Sequence, residues 1–167
     1  MIHLDATASY AKAMPHHLAI GDLASGRSWN YSQLHAAVDR LAAWIVDEIG
    51  PNSGERLATL SKNNAEMVIL QLACIRGGAI FMPLNWRLAV KELEGLIGDA
   101  GPVVLFAQSA FSTPDNAPRT LDIAYMLSLG EEGATPPVDA RRPFDAVSTL
   151  LYTSGTSGRP KGVMLTH

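Results

Sequence analysis

The chain has 167 residues, with 16 acidic against 13 basic side chains and a formal net charge of -3. A hydrophobic fraction of 47% beside 17% charged residues excludes a disordered tail and is sufficient for a real core. The mild negative charge lacks the basic excess of nucleic-acid-binding domains, and a single cysteine excludes a disulfide scaffold or a multi-cysteine metal centre.

The first third of the chain predicts a short helix, a hairpin and one long helix. The short helix spans residues 7–14 and stops at Pro15, and a turn at Gly26 joins the two strand-like runs of the hairpin. We expect Ser32 to cap the long helix and Gly50 to end it. Apolar residues recur there at spacings of three and four, as a helix requires: Leu34, Val38, Leu41, Ile45 and Ile49.

The middle of the chain alternates strand-like and helix-like segments. Strands are expected at 56–60, 79–84 and 102–106, and helices from Asn63 or Asn64 to Gly77 and over 90–97. This alternation predicts an α/β fold of βα units, with a largely parallel sheet and flanking helices. Cys74 falls on an apolar helix face, which favours a core position over a nucleophile.

The last third predicts an irregular connection and then a hairpin. Residues 109–144 are richer in proline and polar side chains, around one expected helix near 121–129. Residues 146–153 form an apolar, β-branched strand that leads into a glycine-rich run. Residues 163–165 are apolar again, which predicts a returning strand and hence a strand–loop–strand hairpin.

The glycine-rich run has the chemistry that a polyphosphate needs. Its sequence is Thr153, Ser154, Gly155, Thr156, Ser157, Gly158, Arg159, Pro160 and Lys161. Glycines allow backbone N–H groups to turn inward, the hydroxyls add donors, and Lys161 adds a positive charge. The proline before Lys161 excludes a Walker A loop, and a Gly/Ser hairpin that binds no ligand is the alternative interpretation.

The order of residues 153–163 resembles the signature phosphate loop of adenylate-forming enzymes: acyl-CoA synthetases, peptide-synthetase adenylation domains and firefly luciferase. The family usually has Thr where Ser157 stands, and serine keeps the hydroxyl. Segments 31–34, 55–63 and 77–85 resemble the family in the same order. The resemblance implies activation of a carboxylate with ATP to an acyl-adenylate, release of pyrophosphate, and transfer of the acyl group to a thiol. It assigns ATP phosphate binding to Thr153, Ser154, Gly155, Thr156, Ser157, Gly158 and Lys161.

The segment Pro83-Leu84-Asn85-Trp86-Arg87-Leu88 separates the branches of the family. It resembles acyl-CoA or aryl-CoA synthetases, whereas peptide-synthetase domains tend to have aspartate where Asn85 stands. In a CoA ligase Arg87 would contact a phosphate of CoA, and a surface arginine near a helix start is the alternative. The resemblance thus favours an ATP-dependent acyl-CoA synthetase of the fatty-acid or aryl-acid CoA ligase type. An amino-acid adenylation domain, or a stand-alone nucleotide-binding module without catalysis, are the alternatives.

The same resemblance implies that residues 1–167 are the incomplete N-terminal portion of the large AMP-binding domain, without the C-terminal domain. We therefore expect no complete catalytic site, no metal site and no activity in this chain alone, since the Mg²⁺ ligands would lie downstream. ATP, CoA and a small carboxylic acid would be the ligands of the full-length enzyme. Without a signal peptide, an apolar span of about 20 residues or a nucleic-acid partner, we expect a cytoplasmic protein. Exposed core surface would favour its self-association.

Overall fold

The computed structural model describes residues 6–134, 145–154 and 160–166. Within these ranges the helices are α1 (Thr7–Ala13), α2 (Tyr31–Ile49), α3 (Ala65–Gly77) and α4 (Val90–Ala100), with a 3-10 helix at Ile123–Ser128. The strands are β1 (Leu18–Gly21), β2 (Ser28–Asn30), β3 (Arg56–Leu60), β4 (Ile80–Leu84), β5 (Val104–Ala107), β6 (Arg119–Asp122), β7 (Val147–Thr153) and β8 (Lys161–Thr166). None of these helices is both long and apolar enough to cross a bilayer.

Six strands form one sheet in the order β6-β5-β3-β4-β7-β8, and β1 and β2 form a separate antiparallel hairpin. Every neighbouring pair in the large sheet is parallel except β7 and β8, which run antiparallel. The predicted α/β class, with its largely parallel sheet and final hairpin, is therefore confirmed. β3 lies at the centre and pairs with β4 from Arg56↔Ile80 to Leu60↔Leu84, and with β5 on its other edge.

Helices cover both faces of this sheet. Successive residues of a strand point to opposite faces, so β3 contributes Leu57 to one core cluster and Ala58 and Leu60 to the other. The first cluster is formed with α2, α3 and the 3-10 helix, and the second with α4. The chain passes from β3 through α3 to β4, and from β4 through α4 to β5 on the opposite side of β3. Because such crossovers are right-handed, the two helices lie on opposite faces.

Asparagines begin the two helices of the first cluster. Asn30, rather than the expected Ser32, caps α2, so that prediction is wrong. The Asn30 side chain accepts the Gln33 N–H at 2.8 Å, and the Gln33 side chain accepts the Asn30 N–H at 2.9 Å. This reciprocal pair satisfies two backbone donors that the helix itself leaves free. Of the two candidates for α3, Asn64 is the cap and accepts the Met67 N–H at 3.0 Å.

The expectation for residues 109–144 needs a correction. The segment contains a strand, β6, which pairs in parallel with β5, and the helix after it is a 3-10 helix of six residues. Three of the four residues of β6 are exposed, so the strand carries no alternating apolar pattern that the sequence could reveal. Residues 135–144 lie outside the described residues.

Burial differs sharply between α3 and the last strand, β8. Cys74 is 0% exposed within the first cluster, which confirms its assignment to the core. Every side chain of β8 is exposed, including Val163, Met164 and Leu165. An edge strand with exposed apolar side chains is a surface on which another chain can pair. Self-association of this protein stays a prediction.

A substitution at Gly130, which follows the 3-10 helix and lies against Arg40 of α2, tests how closely these segments pack. The φ of Gly130 is +78°, and an added Cβ would collide with the carbonyl oxygen of Arg40. Gly133 has the same φ of +78° but nothing within 4 Å of the added Cβ. We expect Gly133→Ala to lose roughly 1–2 kcal/mol in unfolding free energy from backbone strain, and Gly130→Ala to lose roughly 1–3 kcal/mol more from overpacking. Urea unfolding measures both, and equal losses would contradict the close approach.

Candidate functional site

The carboxyl ends of β3, β4 and β7 meet at one edge of the sheet, where two adjoining cavities lie. In open parallel sheets this edge is the usual ligand position, at the point where the strand order reverses. The larger cavity has a volume of about 550 Å³ and lies between α4 and the end of β7, and the smaller has about 280 Å³. Both are lined by Asn85, Leu88, Leu96 and Tyr152.

The two ends of the predicted phosphate loop lie side by side at this edge. Thr153 ends β7 and Ser154 follows it, and both line the larger cavity together with Pro160. Lys161 begins β8 and is the antiparallel partner of Thr153, whose hydroxyl donates to the Lys161 carbonyl at 3.5 Å. The structure therefore brings three of the seven predicted phosphate-binding residues together. The other four, Gly155, Thr156, Ser157 and Gly158, lie outside the described residues.

The strand that carries this loop lies beside β4 and forms the final hairpin with β8. β7 bridges to β4 at Phe81↔Thr149, and it pairs with β8 from Val147 to Thr153. The hydroxyl of Tyr152 donates to Oδ2 of Asp99 on α4 at 2.5 Å. Burial, and then this hydrogen bond and the negative charge of Asp99, raise the pKa of Tyr152 far above its ordinary value, although Arg56 acts in the opposite direction.

Two cations lie against the indole of Trp86, in the turn between β4 and α4. Arg87 belongs to the same turn, and Lys62 comes from the segment after β3. The guanidinium carbon of Arg87 lies 4.2 Å from the ring centroid of Trp86, and Nζ of Lys62 lies 5.3 Å from it. Phe111 stacks on the same indole at 5.5 Å between centroids. The Asn85 side chain accepts the Arg87 N–H at 3.0 Å and fixes the turn. Each cation–π contact contributes roughly 0.5–1 kcal/mol at an exposed site.

Arg87 differs from the other described arginines in what its guanidinium contacts. Each of the others has a carboxylate or carbonyl partner: Arg27 with Glu66, Arg40 with Leu127, Arg56 with Glu55, Arg76 with Asp39 and Arg119 with Glu48. Among the described residues Arg87 contacts the indole face instead, and it is exposed. An arginine stacked in this way keeps its in-plane N–H donors for an anion. The sequence identified Arg87, but no pattern indicated Lys62 as its neighbour.

The smaller cavity contains a buried hydroxyl without a hydrogen-bond partner among the described residues. It belongs to Ser61, which directly follows β3 and lines this cavity. A ligand or a water molecule that enters the cavity would satisfy such a hydroxyl.

In the part of the chain that the structure describes, no group of three or more His, Cys, Asp or Glu side chains could hold a metal ion.

This chain is similar in sequence to known AMP-binding enzymes. A family model described as AMP-binding enzyme matches residues 7–167. Feruloyl-CoA synthase from an Amycolatopsis species is 36% identical over 163 residues, which cover 94% of this chain and 32% of that protein. Surfactin synthase subunit 1 from Bacillus subtilis is 32% identical over 156 residues, which cover 86% of this chain and 4% of that protein.

A solved structure extends the likeness to three dimensions. The structure of O-succinylbenzoate coenzyme A synthetase from Bacillus subtilis, in complex with ATP and a magnesium ion, matches with a TM-score of 0.81 and 29% identity. The match covers 97% of this chain and 34% of that one. The chain thus spans about a third of the length of the CoA-ligase relatives that it matches.

The raised pKa of Tyr152 is directly measurable. In an alkaline titration of the folded protein followed by tyrosinate absorbance, we expect one of the four tyrosines to ionise later than the others. Tyr152→Phe should remove this late step, whereas Tyr125→Phe, at a residue 57% exposed, should leave it in place. A late step that persists in Tyr152→Phe would contradict the assignment.

Proposed function

The chain belongs to the family of AMP-binding, adenylate-forming enzymes, and we propose that it is the N-terminal part of an ATP-dependent acyl-CoA synthetase. The family uses ATP and Mg²⁺, and its CoA-ligase members use CoA. Residues 1–167 would be a portion of the large AMP-binding domain, because the chain spans about a third of its CoA-ligase relatives. The observation that carries the proposal is the pairing of Thr153 with Lys161 beside Ser154, at the cavity edge.

In the proposed reaction a carboxylate oxygen attacks the α-phosphate of ATP, and the bond to the β-phosphate breaks as pyrophosphate leaves. The thiol of CoA then displaces AMP from the acyl carbon. Charge accumulates on the β- and γ-phosphates in the first step, so preorganised donors there lower the barrier. Thr153, Ser154 and Lys161 would supply hydroxyl donors and a positive charge, together with Thr156 and Ser157. Gly155 and Gly158 would give the backbone its shape.

Arg87 supports CoA as the acyl acceptor. Its guanidinium is held on Trp86 at the crevice without a carboxylate partner among the described residues, so it suits a phosphate of CoA. Lys62 adds a second positive charge beside the same indole. The residues that hold Mg²⁺ and complete the catalytic site would lie elsewhere in the full-length enzyme. The chain by itself would bind nucleotide without turnover.

Binding of ATP and AMP to the chain tests the phosphate loop. We expect Lys161→Met to weaken ATP binding roughly tenfold or more, because a charge-assisted hydrogen bond is lost, and to leave AMP binding unchanged. Lys12→Met, on exposed α1, is the matched control. Isothermal calorimetry gives both affinities, and equal weakening of ATP and AMP would argue against a role at the outer phosphates. Robust ATP–pyrophosphate exchange by the chain would contradict the proposal that it cannot turn over alone.

Binding of CoA tests the acceptor. Arg87→Gln should weaken CoA binding roughly fivefold or more through the lost charge-assisted contact. Arg119→Gln is the control, since this exposed arginine pairs with Glu48 on the other edge of the sheet. If the wild-type chain binds ATP but not CoA, an amino-acid adenylation domain or a non-catalytic nucleotide-binding module becomes the better interpretation.

A further inference from the structure

Tyr152 links the strand that carries the phosphate loop to a helix on the face of the sheet. It directly precedes Thr153 and Ser154, and its hydroxyl donates to Asp99 in the last turn of α4. The two residues are 53 positions apart in the sequence, so the contact joins separate elements of the fold. Tyr152, Asp99, Thr153 and Ser154 all line the larger cavity.

The end of β7 is held by strand pairing and by apolar packing in addition to this hydrogen bond. β7 bridges to β4 at Phe81↔Thr149, and its antiparallel partner is β8, whose residues are all exposed. Leu150 and Tyr152 are half-buried against the cluster that includes α4. Among the described side chains of residues 150–153, Tyr152 makes the hydrogen bond that reaches outside the hairpin. Apolar packing has no fixed direction whereas a hydrogen bond does, so this bond adds a directional contact between the hairpin and α4.

We propose that Tyr152 is a positioning residue for the phosphate loop, acting through Asp99. The hydrogen bond holds Thr153 and Ser154 at the cavity edge, so that their donors meet the outer phosphates of ATP without first having to be ordered. This inference rests on the proposed function, because it assumes that the loop binds phosphate. It adds a residue that acts on the loop through its position in β7, together with an acceptor on α4.

Variants of both partners separate positioning from stability. Tyr152→Phe keeps the ring and removes the donor, and Asp99→Leu removes the acceptor. Asp99→Asn keeps an oxygen that can accept from the hydroxyl, so it is the conservative replacement. Tyr125→Phe, at an exposed position of the 3-10 helix, is the matched control for loss of a hydroxyl. Gly133→Ala is the control for loss of stability away from the loop.

ATP affinity, AMP affinity and the thermal midpoint are measured for each variant. We expect Tyr152→Phe and Asp99→Leu to weaken ATP binding about fivefold, since a hydrogen bond to a charged group is lost. AMP binding should stay unchanged, and Asp99→Asn should restore most of the ATP affinity. If both variants lower the thermal midpoint as Gly133→Ala does and leave ATP affinity at the wild-type value, the bond is purely structural and the inference is wrong.

Amide hydrogen exchange of residues 150–154 and 161–166 supplies a readout that needs no nucleotide. Exchange there should be faster in Tyr152→Phe than in Tyr125→Phe, with the core strands unchanged. If the wild-type chain binds no ATP, the proposed function fails while this comparison still decides whether Tyr152 orders the loop. Unchanged exchange in Tyr152→Phe would overturn the inference even if ATP binds.

Discussion

The position of β3 between two parallel neighbours is the constraint on which the rest of the structure depends. The strand is covered on both faces, and Leu57, Ala58, Thr59 and Leu60 are at most 1% exposed. A parallel strand in this position requires helices above and below the sheet, since its backbone pairs on both edges and its side chains point to both faces. α3 and α4 supply them, because the chain moves outward from β3 to β4 and then returns past β3 to β5. The candidate site lies at the carboxyl ends of these strands, the usual ligand position in such sheets.

The two sides of the crevice differ in how they hold their polar groups. On the β4 side, a short turn places Arg87 against an indole, and Phe111 covers the same indole. On the β7 side, an antiparallel hairpin carries hydroxyls and Lys161, and the hydrogen bond from Tyr152 to Asp99 connects it to α4. α4 follows the turn that contains Arg87, and its Asp99 contacts the β7–β8 hairpin through Tyr152. A displacement of this helix would therefore reach both groups of candidate ligand contacts.

The sequence predicted those features that depend on local order. The helical spacing of Leu34, Val38 and Leu41 locates α2, because one buried face recurs with the helix period. The order of residues 153–163 indicates the family, because the chemistry of a phosphate loop is concentrated in adjacent residues. β6 was missed, since an exposed edge strand leaves no periodic pattern. The contacts of Tyr152 with Asp99 and of Lys62 with Trp86 could not be predicted, because they join residues that only the tertiary fold brings together.

The single cysteine of the chain can report on local opening of the fold. Cys74, on α3, is wholly buried in the helical layer that covers one face of the sheet. A thiol reagent can reach it only when that layer separates, so the rate of modification reports how often the separation occurs. The protein thus contains its own probe of partial opening and needs no engineered label. Ligands that bind at the crevice and stabilise the closed layer would protect this thiol without touching it.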